Sequence, residues 1–246
     1  ICIPPCQKKL LKSLKETGKP VVVVVFGGRP LILTDEDCNF PAIVEAWHGG
    51  TSAGDALADI LSGKANPSAK LTTTFPRYLG QIPIHYNHLM TGRPLANYVP
   101  YFTTEKYRDL PREDYEPLYP FGYGLSYNKY EYSNLRADKT AAKGENDRIT
   151  VSMDIKNLGQ REGKEIVQLY INDLIASTSR PVLELKGFRK ISLKPGEKQT
   201  VSFEITPELL KFYNSELEYG WEPGDFVISI APNSKDLNSV KIHWEK

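Results

Sequence analysis

The 246 residues carry a formal net charge of +1, 40% hydrophobic and 25% charged side chains, with 14 Tyr and 18 Pro. This is the make-up of a folded protein rich in strands and turns, with core enough for two domains and no electrostatic ground for a nucleic-acid or anionic-membrane partner. No apolar run approaches the ~18 residues of a membrane span, the longest being Val21 to Phe26, and the odd count of Cys2, Cys6 and Cys38 reads as structural thiols rather than a disulfide framework.

The chain opens Ile1-Cys2-Ile3-Pro4-Pro5, with neither an initiator Met nor a signal-peptide pattern, and is expected to be a piece of something longer. Residues 7 to 17 place Leu10, Leu11 and Leu14 at helical spacing with lysines around the other side, and Gly18 and Pro20 end this amphipathic helix. Val21 to Phe26 is an unbroken β-branched run, the pattern of a strand covered on both faces in a parallel sheet. Gly27 to Pro30 is the loop at its end, Ala42 to Trp47 reads as the next strand, and Gly49 to Gly54 turns into a helix over Asp55 to Leu61. Lys70 to Phe75 supplies one more extended piece. The order is that of an α/β domain.

From Pro76 to about Asn128 no period persists, and an aperiodic stretch of this length is functional or laid over a neighbour. It ends in Pro117 to Tyr127, where prolines, glycines and four bulky aromatics predict an ordered hinge rather than a flexible tether.

Beyond the hinge the period becomes two. Strands are predicted at Ile149 to Ile155, Glu165 to Asn172, a pair within Pro181 to Leu193 around Gly187, Gln199 to Ile205, Phe226 to Ile230 and Ser239 to Trp244. Turns at Asn157 to Gly159, Lys194 to Glu197 and Glu222 to Asp225 separate them, the layout of a β-sandwich of the immunoglobulin or fibronectin type III kind.

Several groupings invite a chemical reading, each beside a plainer one. Asp35-Glu36-Asp37, and Glu113, Asp114 and Glu116, could serve acid/base chemistry, yet adjacent loop carboxylates are usually solvated. His85 and His88 have metal-ligand types, but Pro83 opposes the helix that would align them, and Cys2, Cys6 and Cys38 lack a fourth ligand and read as buried or terminal thiols. Gly49 to Gly54 could cradle an anion, though it lacks the Gly-Lys-Ser/Thr ending of a nucleotide loop, so helix-on-sheet packing is the expectation. Trp47, Trp221 and Trp244 could stack on sugars or pack in cores and interfaces, the latter being expected. The stretch Tyr98 to Asp109, with its aromatics and Arg108, is the best candidate contributor to a substrate pocket.

Taken in order, Gly18 to Val24, Gly28-Arg29-Pro30-Leu31, Ile43 to Trp47, Gly54 to Leu61, Asn66-Pro67-Ser68, Thr74 to Arg77 and Gly80 to Pro83 resemble the second domain of glycoside hydrolase family 3. Pro120 to Tyr127 looks like the entry to that family's third domain, and Lys164 to Tyr170, Arg180-Pro181, Glu184 to Phe188 and Pro195 to Glu197 resemble its fibronectin type III-like module. The connection with Tyr86-Asn87-His88 and Thr91 to Pro94 is similar to that of the family's bacterial periplasmic β-glucosidases.

The resemblance implies an α/β plus all-β chain: a truncated α/β sandwich domain over 1–80, an extended connection over 81–128 and a fibronectin type III-like β-sandwich over 129–246. It implies a retaining β-glucosidase or β-xylosidase acting on oligosaccharides or β-glycosides in the periplasm or outside the cell, without a cofactor. Retention uses two carboxylates about 5 Å apart. The family implies that these lie on a preceding (β/α)₈ barrel and on a loop ahead of the first helix, so no catalytic, substrate-binding or metal residue is assigned here. The chain alone is expected to be inactive, to complete one wall of a cleft, and to self-associate through an exposed sheet edge and apolar patch. The alternatives are a non-catalytic carbohydrate-binding or interaction module and, less well supported, a nucleotide-binding α/β domain.

Overall fold

A computed structural model describes residues 1–33, 40–90 and 116–246. Two compact units are present. Among the described residues the first comprises Ile1–Ala65, Thr73–Ile84 and 116–120, and the second Asn66–Thr72, 85–90 and Phe121–Lys246. The chain passes between them inside the aromatic hinge, between Pro120 and Phe121.

In the first unit α1 (Pro5–Glu16) begins with a proline in its first turn, where the missing N–H costs nothing. It is followed by β1 (Val22–Val25) and β2 (Ala42–Glu45), which pair in parallel from Val22 opposite Ala42 to Val25 opposite Glu45. Helix α2 (Ala53–Leu61) then ends at Gly63, whose φ of 76° closes the last turn.

The parallel pairing matches the sequence expectation; burial on both faces of β1 does not. Only Val25 is buried, Val22 is 47% exposed, and neither helix contains a buried residue. The β-branched run makes the strand, but no apolar layer within this unit closes over both of its faces. Lys70 to Phe75 is extended without becoming a strand: Phe75 forms a single bridge with Tyr119, their rings edge to face at 6.0 Å.

The second unit is a β-sandwich. Its strands are β3 (Tyr130–Ala137), β4 (Ala141–Lys143), β5 (Ile149–Asn157), β6 (Gly163–Asp173), β7 (Glu184–Leu193), β8 (Lys198–Ile205), β9 (Phe212–Tyr213), β10 (Tyr219–Gly220), β11 (Gly224–Ala231) and β12 (Asn238–Glu245), with a short helix α3 (Pro207–Leu210) after β8. One sheet runs β4-β12-β11-β6-β7 and the other β3-β5-β8, while β9 and β10 form a separate hairpin. Alternate residues of both sheets, among them Val167, Leu169, Ile228, Ile230, Trp244, Ile149, Met153, Val201 and Ile205, interdigitate as the core.

Pro181 to Leu193 is one strand preceded by an irregular segment, not two strands. Opposite the Leu169–Tyr170 step the register jumps from Gly187 to Leu185, and that irregularity is what the sequence reading took for a turn.

β6 is buried on its outer face as well. Tyr86 stacks on Phe121 at 4.2 Å and meets Tyr170 edge to face, and its hydroxyl accepts the Leu185 N–H. Tyr170 is fully buried, and burial raises its phenol pKa. Its hydroxyl donates to Gln168 Oε1, while Gln168 Nε2 donates to the carbonyls of Gly122 and Pro232. Residues 66–72 lie on the same module: Leu71 N–H donates to Tyr123 O, Gly122 N–H donates to Leu71 O, and Lys70 pairs with Glu165 at 3.0 Å. Parts of the long connection are therefore laid over the sandwich.

Candidate functional site

In a parallel sheet the loops leaving the carboxyl ends of adjacent strands converge, and ligands gather there. The carboxyl ends of β1 and β2 build such a crest. β1 runs out into Phe26, Gly27, Gly28 and Arg29; β2 runs out into Ala46, Trp47, His48, Gly49 and Gly50 and then into α2.

Pairing continues one step past the strands, because Ala46 N–H donates to Val25 O at 2.8 Å. The backbone then reverses at Trp47, whose φ of 48° is a left-handed conformation that a bulky residue adopts at a cost on the order of 1 kcal/mol. Two contacts hold it. Its N–H donates to Glu45 Oε1 at 3.2 Å, and its indole meets the buried Phe75 ring edge to face at 6.0 Å.

Glu45 is half-buried, and desolvation raises its carboxyl pKa against the lowering effect of the Trp47 N–H. His48 is exposed and lies against the β1 loop, where a Cβ on Gly28 would stand 2.9 Å from His48 Nε2. A Cβ on Gly49 would stand 2.6 Å from that of Ala53, so glycine there lets α2 start directly beneath the crest. Glu45 and His48 escaped the sequence reading, which kept Trp47 inside the strand; nothing in the local pattern marks a tryptophan for a left-handed turn.

The remaining candidates are placed as follows. Trp221 and Trp244 are buried in the sandwich, 6.5 Å apart edge to face, with Trp244 Nε1 donating to Gly144 O, so both are core residues. Trp47 packs against Phe75 as expected, but in a strained conformation. The His88 ring bonds to the Leu89 carbonyl, and the chain there follows the sandwich, with Leu89 bridging Pro181. Cys2 and Cys6 are exposed rather than buried, because the amino-terminal segment contributes only its bridge between Cys2 and Ile32 and the buried Ile3 beside it. The Glu116 carbonyl accepts from Arg77 Nε and Gln81 Nε2, a backbone role and not an acid/base one. Asp35, Glu36, Asp37, Cys38, Glu113, Asp114 and the stretch Tyr98 to Asp109 with Arg108 lie outside the described residues. Among the described residues no group of three His, Cys, Asp or Glu side chains is arranged to hold a metal ion.

Comparison with known proteins fits this arrangement. Residues 1–127 match the glycosyl hydrolase family 3 C-terminal domain, and 165–234 match a fibronectin type III-like domain. The chain is 48% identical over 234 residues to the periplasmic beta-glucosidase of Salmonella typhimurium, and 41% identical over 238 residues to a beta-xylosidase of Formosa agariphila. These alignments cover 95% and 96% of this chain but only 30% and 31% of the relatives. The crystal structure of a beta-glucosidase from Listeria innocua in complex with glucose superposes with a TM-score of 0.88 at 42% identity, over 100% of this chain and 34% of that one. The α/β crest and the sandwich that follows it are those of a known enzyme family, and the chain belongs to glycosyl hydrolase family 3.

Proposed function

We propose that this chain is the carboxyl-terminal portion of a retaining glycosidase that removes terminal β-linked glucose, or xylose, from oligosaccharides and small β-glycosides. The observation that carries the reading is the alignment of 95% of this chain with 30% of a periplasmic beta-glucosidase, which leaves the greater part of that relative outside the match. Retaining chemistry needs two carboxylates about 5 Å apart. In this proposal neither is supplied by the 246 residues, which are inactive by themselves.

The crest is assigned the role of a cleft wall. Trp47, held by the Glu45 carboxylate and by Phe75, offers an aromatic edge at the mouth of a parallel sheet, and Gly28 and Gly49 let the two loops approach each other. Glu45 has a raised pKa, but a lone carboxyl is a positioning group and not a retaining pair. The matching periplasmic relative supports placing the protein in the periplasm or outside the cell.

The test is to express the chain alone and joined to whatever its gene encodes ahead of Ile1, and to measure p-nitrophenol release from β-glucosides and β-xylosides. Turnover confined to the longer protein, and weakened by Trp47→Ala, supports the reading. Turnover by the 246-residue chain alone overturns it.

A further inference from the structure

The hairpin β9–β10 stands apart from both sheets and presents a surface that folding does not explain. Its inner residues anchor it: Leu210, Phe212 and Trp221 are buried, and the Arg180 guanidinium lies 4.3 Å from the centre of the Phe212 ring. Its outer residues do the opposite. Tyr213 and Tyr219 are directly paired across the hairpin, 64% and 53% exposed, their rings 4.8 Å apart at 41°. At the tip, Leu217 is 80% exposed and holds a φ of 62°.

A bulky residue that is both strained and exposed contributes nothing to the core and costs on the order of 1 kcal/mol to keep there. The hairpin is nonetheless held in one shape. Asn214 Oδ1 accepts the N–H groups of Glu216 and Glu218, each at 3.0 Å, Leu217 N–H donates to the Asn214 carbonyl, and Asn214 N–H donates to Glu218 O. The Lys211 ammonium sits 5.8 Å from the centre of the Tyr219 ring.

We propose that this hairpin is a glycan-contact platform on which a pyranose of a β-linked glucan or xylan chain stacks against Tyr213 and Tyr219, with Leu217 extending the apolar floor. The chemistry selects the ligand. A β-linked pyranose has an equatorial rim of hydroxyls and an apolar C–H face, which suits an aromatic pair flanked by hydrogen-bonding groups, here Asn214, Glu218 and Lys211. The separation of the two rings is comparable with one sugar unit of an extended chain. A protein partner is disfavoured by size, since a stable protein interface takes about 800 Å² from each side and this floor is three side chains. Preorganisation by Asn214 limits the ordering cost of binding.

The choice of β-glucan or xylan rests on the proposed function, but the test reads binding and not turnover, so the two fail separately. The full 246-residue chain is run by native affinity electrophoresis through gels containing laminarin, mixed-linkage β-glucan, arabinoxylan or, as control, dextran. Retardation by one of the β-linked polymers is expected. It should weaken about tenfold in Tyr213→Ala/Tyr219→Ala, in line with the loss of two ring contacts, and persist in Tyr213→Phe. Thermal unfolding of the alanine variant should match that of the parent, because both rings are exposed. Equal mobility in all gels, retardation unchanged in the alanine variant, or a variant that alters only self-association would each overturn the proposal.

Discussion

Lys70 and Glu165 form the buried charge pair on which the docking of residues 66–72 depends, and replacing Lys70 by Met tests that dependence. The side chains are 12% and 4% exposed, the ammonium lies 3.0 Å from Glu165 Oε1, and Tyr132 donates a second hydrogen bond to the same oxygen at 2.9 Å. At an effective dielectric constant of ~20, unit charges 3.0 Å apart attract by about 5.5 kcal/mol, and much of this is offset by desolvation. Breaking such a pair from one side costs about 3–5 kcal/mol, because the surviving charge stays buried. We expect about 3 kcal/mol for Lys70→Met, since the Tyr132 hydroxyl still faces the carboxylate. Adding Glu165→Gln should restore about 2 kcal/mol, for the amide oxygen keeps the Tyr132 bond without a buried charge. Urea unfolding followed by Trp221 and Trp244 fluorescence, in a Trp47→Phe background that silences the first unit, measures both. A loss below about 0.5 kcal/mol for Lys70→Met, or no recovery in the double variant, would refute the reasoning.

Three further outcomes are expected. Asp154 accepts hydrogen bonds from Asn134, Thr200, Arg136 and Lys198, with Asn134 the largest of the causes that depress its carboxyl pKa. The stabilisation it gives is complete above its unfolded pKa of about 3.9 and is lost as pH falls toward the lower folded value; Asp154→Asn should therefore flatten the acid limb of a melting-temperature profile. Gly122 has a φ of 78°, and a Cβ there would collide with the buried Gln168 amide, so Gly122→Ala should destabilise the sandwich by about 1–3 kcal/mol in the same urea assay. The apolar side chains Leu10, Val22 and Phe26 are 58%, 47% and 57% exposed, and size-exclusion chromatography of the chain alone should show concentration-dependent association that Leu10→Lys/Leu14→Lys reduces; a strict monomer at all concentrations contradicts this.

Much of the architecture was legible because local patterns agree with it. The alternation in β5, β6, β8, β11 and β12 marks strands with one face in a core, and the β-branched run of β1 marks a parallel strand. β3 was missed for a physical reason. Its inward residues change parity from Tyr130 and Tyr132 to Leu135 and Ala137 across a register shift at Asn134, whose φ is 54°, so no period of two survives. The outer face of β6 was also hidden: Gln168 and Tyr170 look like solvent-facing positions until Tyr86 and Phe121, far away in sequence, are laid over them. The candidate site was only half visible. Gly49 and Gly50 announced a close turn, but the left-handed Trp47 and its Glu45 partner depend on Phe75, nearly thirty residues on, which no window of sequence can anticipate.

The measurement that bears most directly on the account is hydrolysis of p-nitrophenyl β-glucoside by two purified proteins: the 246-residue chain, and the same chain joined to the polypeptide encoded ahead of Ile1. The account predicts product from the longer protein, with retention of configuration at the anomeric carbon, and none from the shorter. Product from the 246-residue chain alone, or inversion by the longer one, would contradict it.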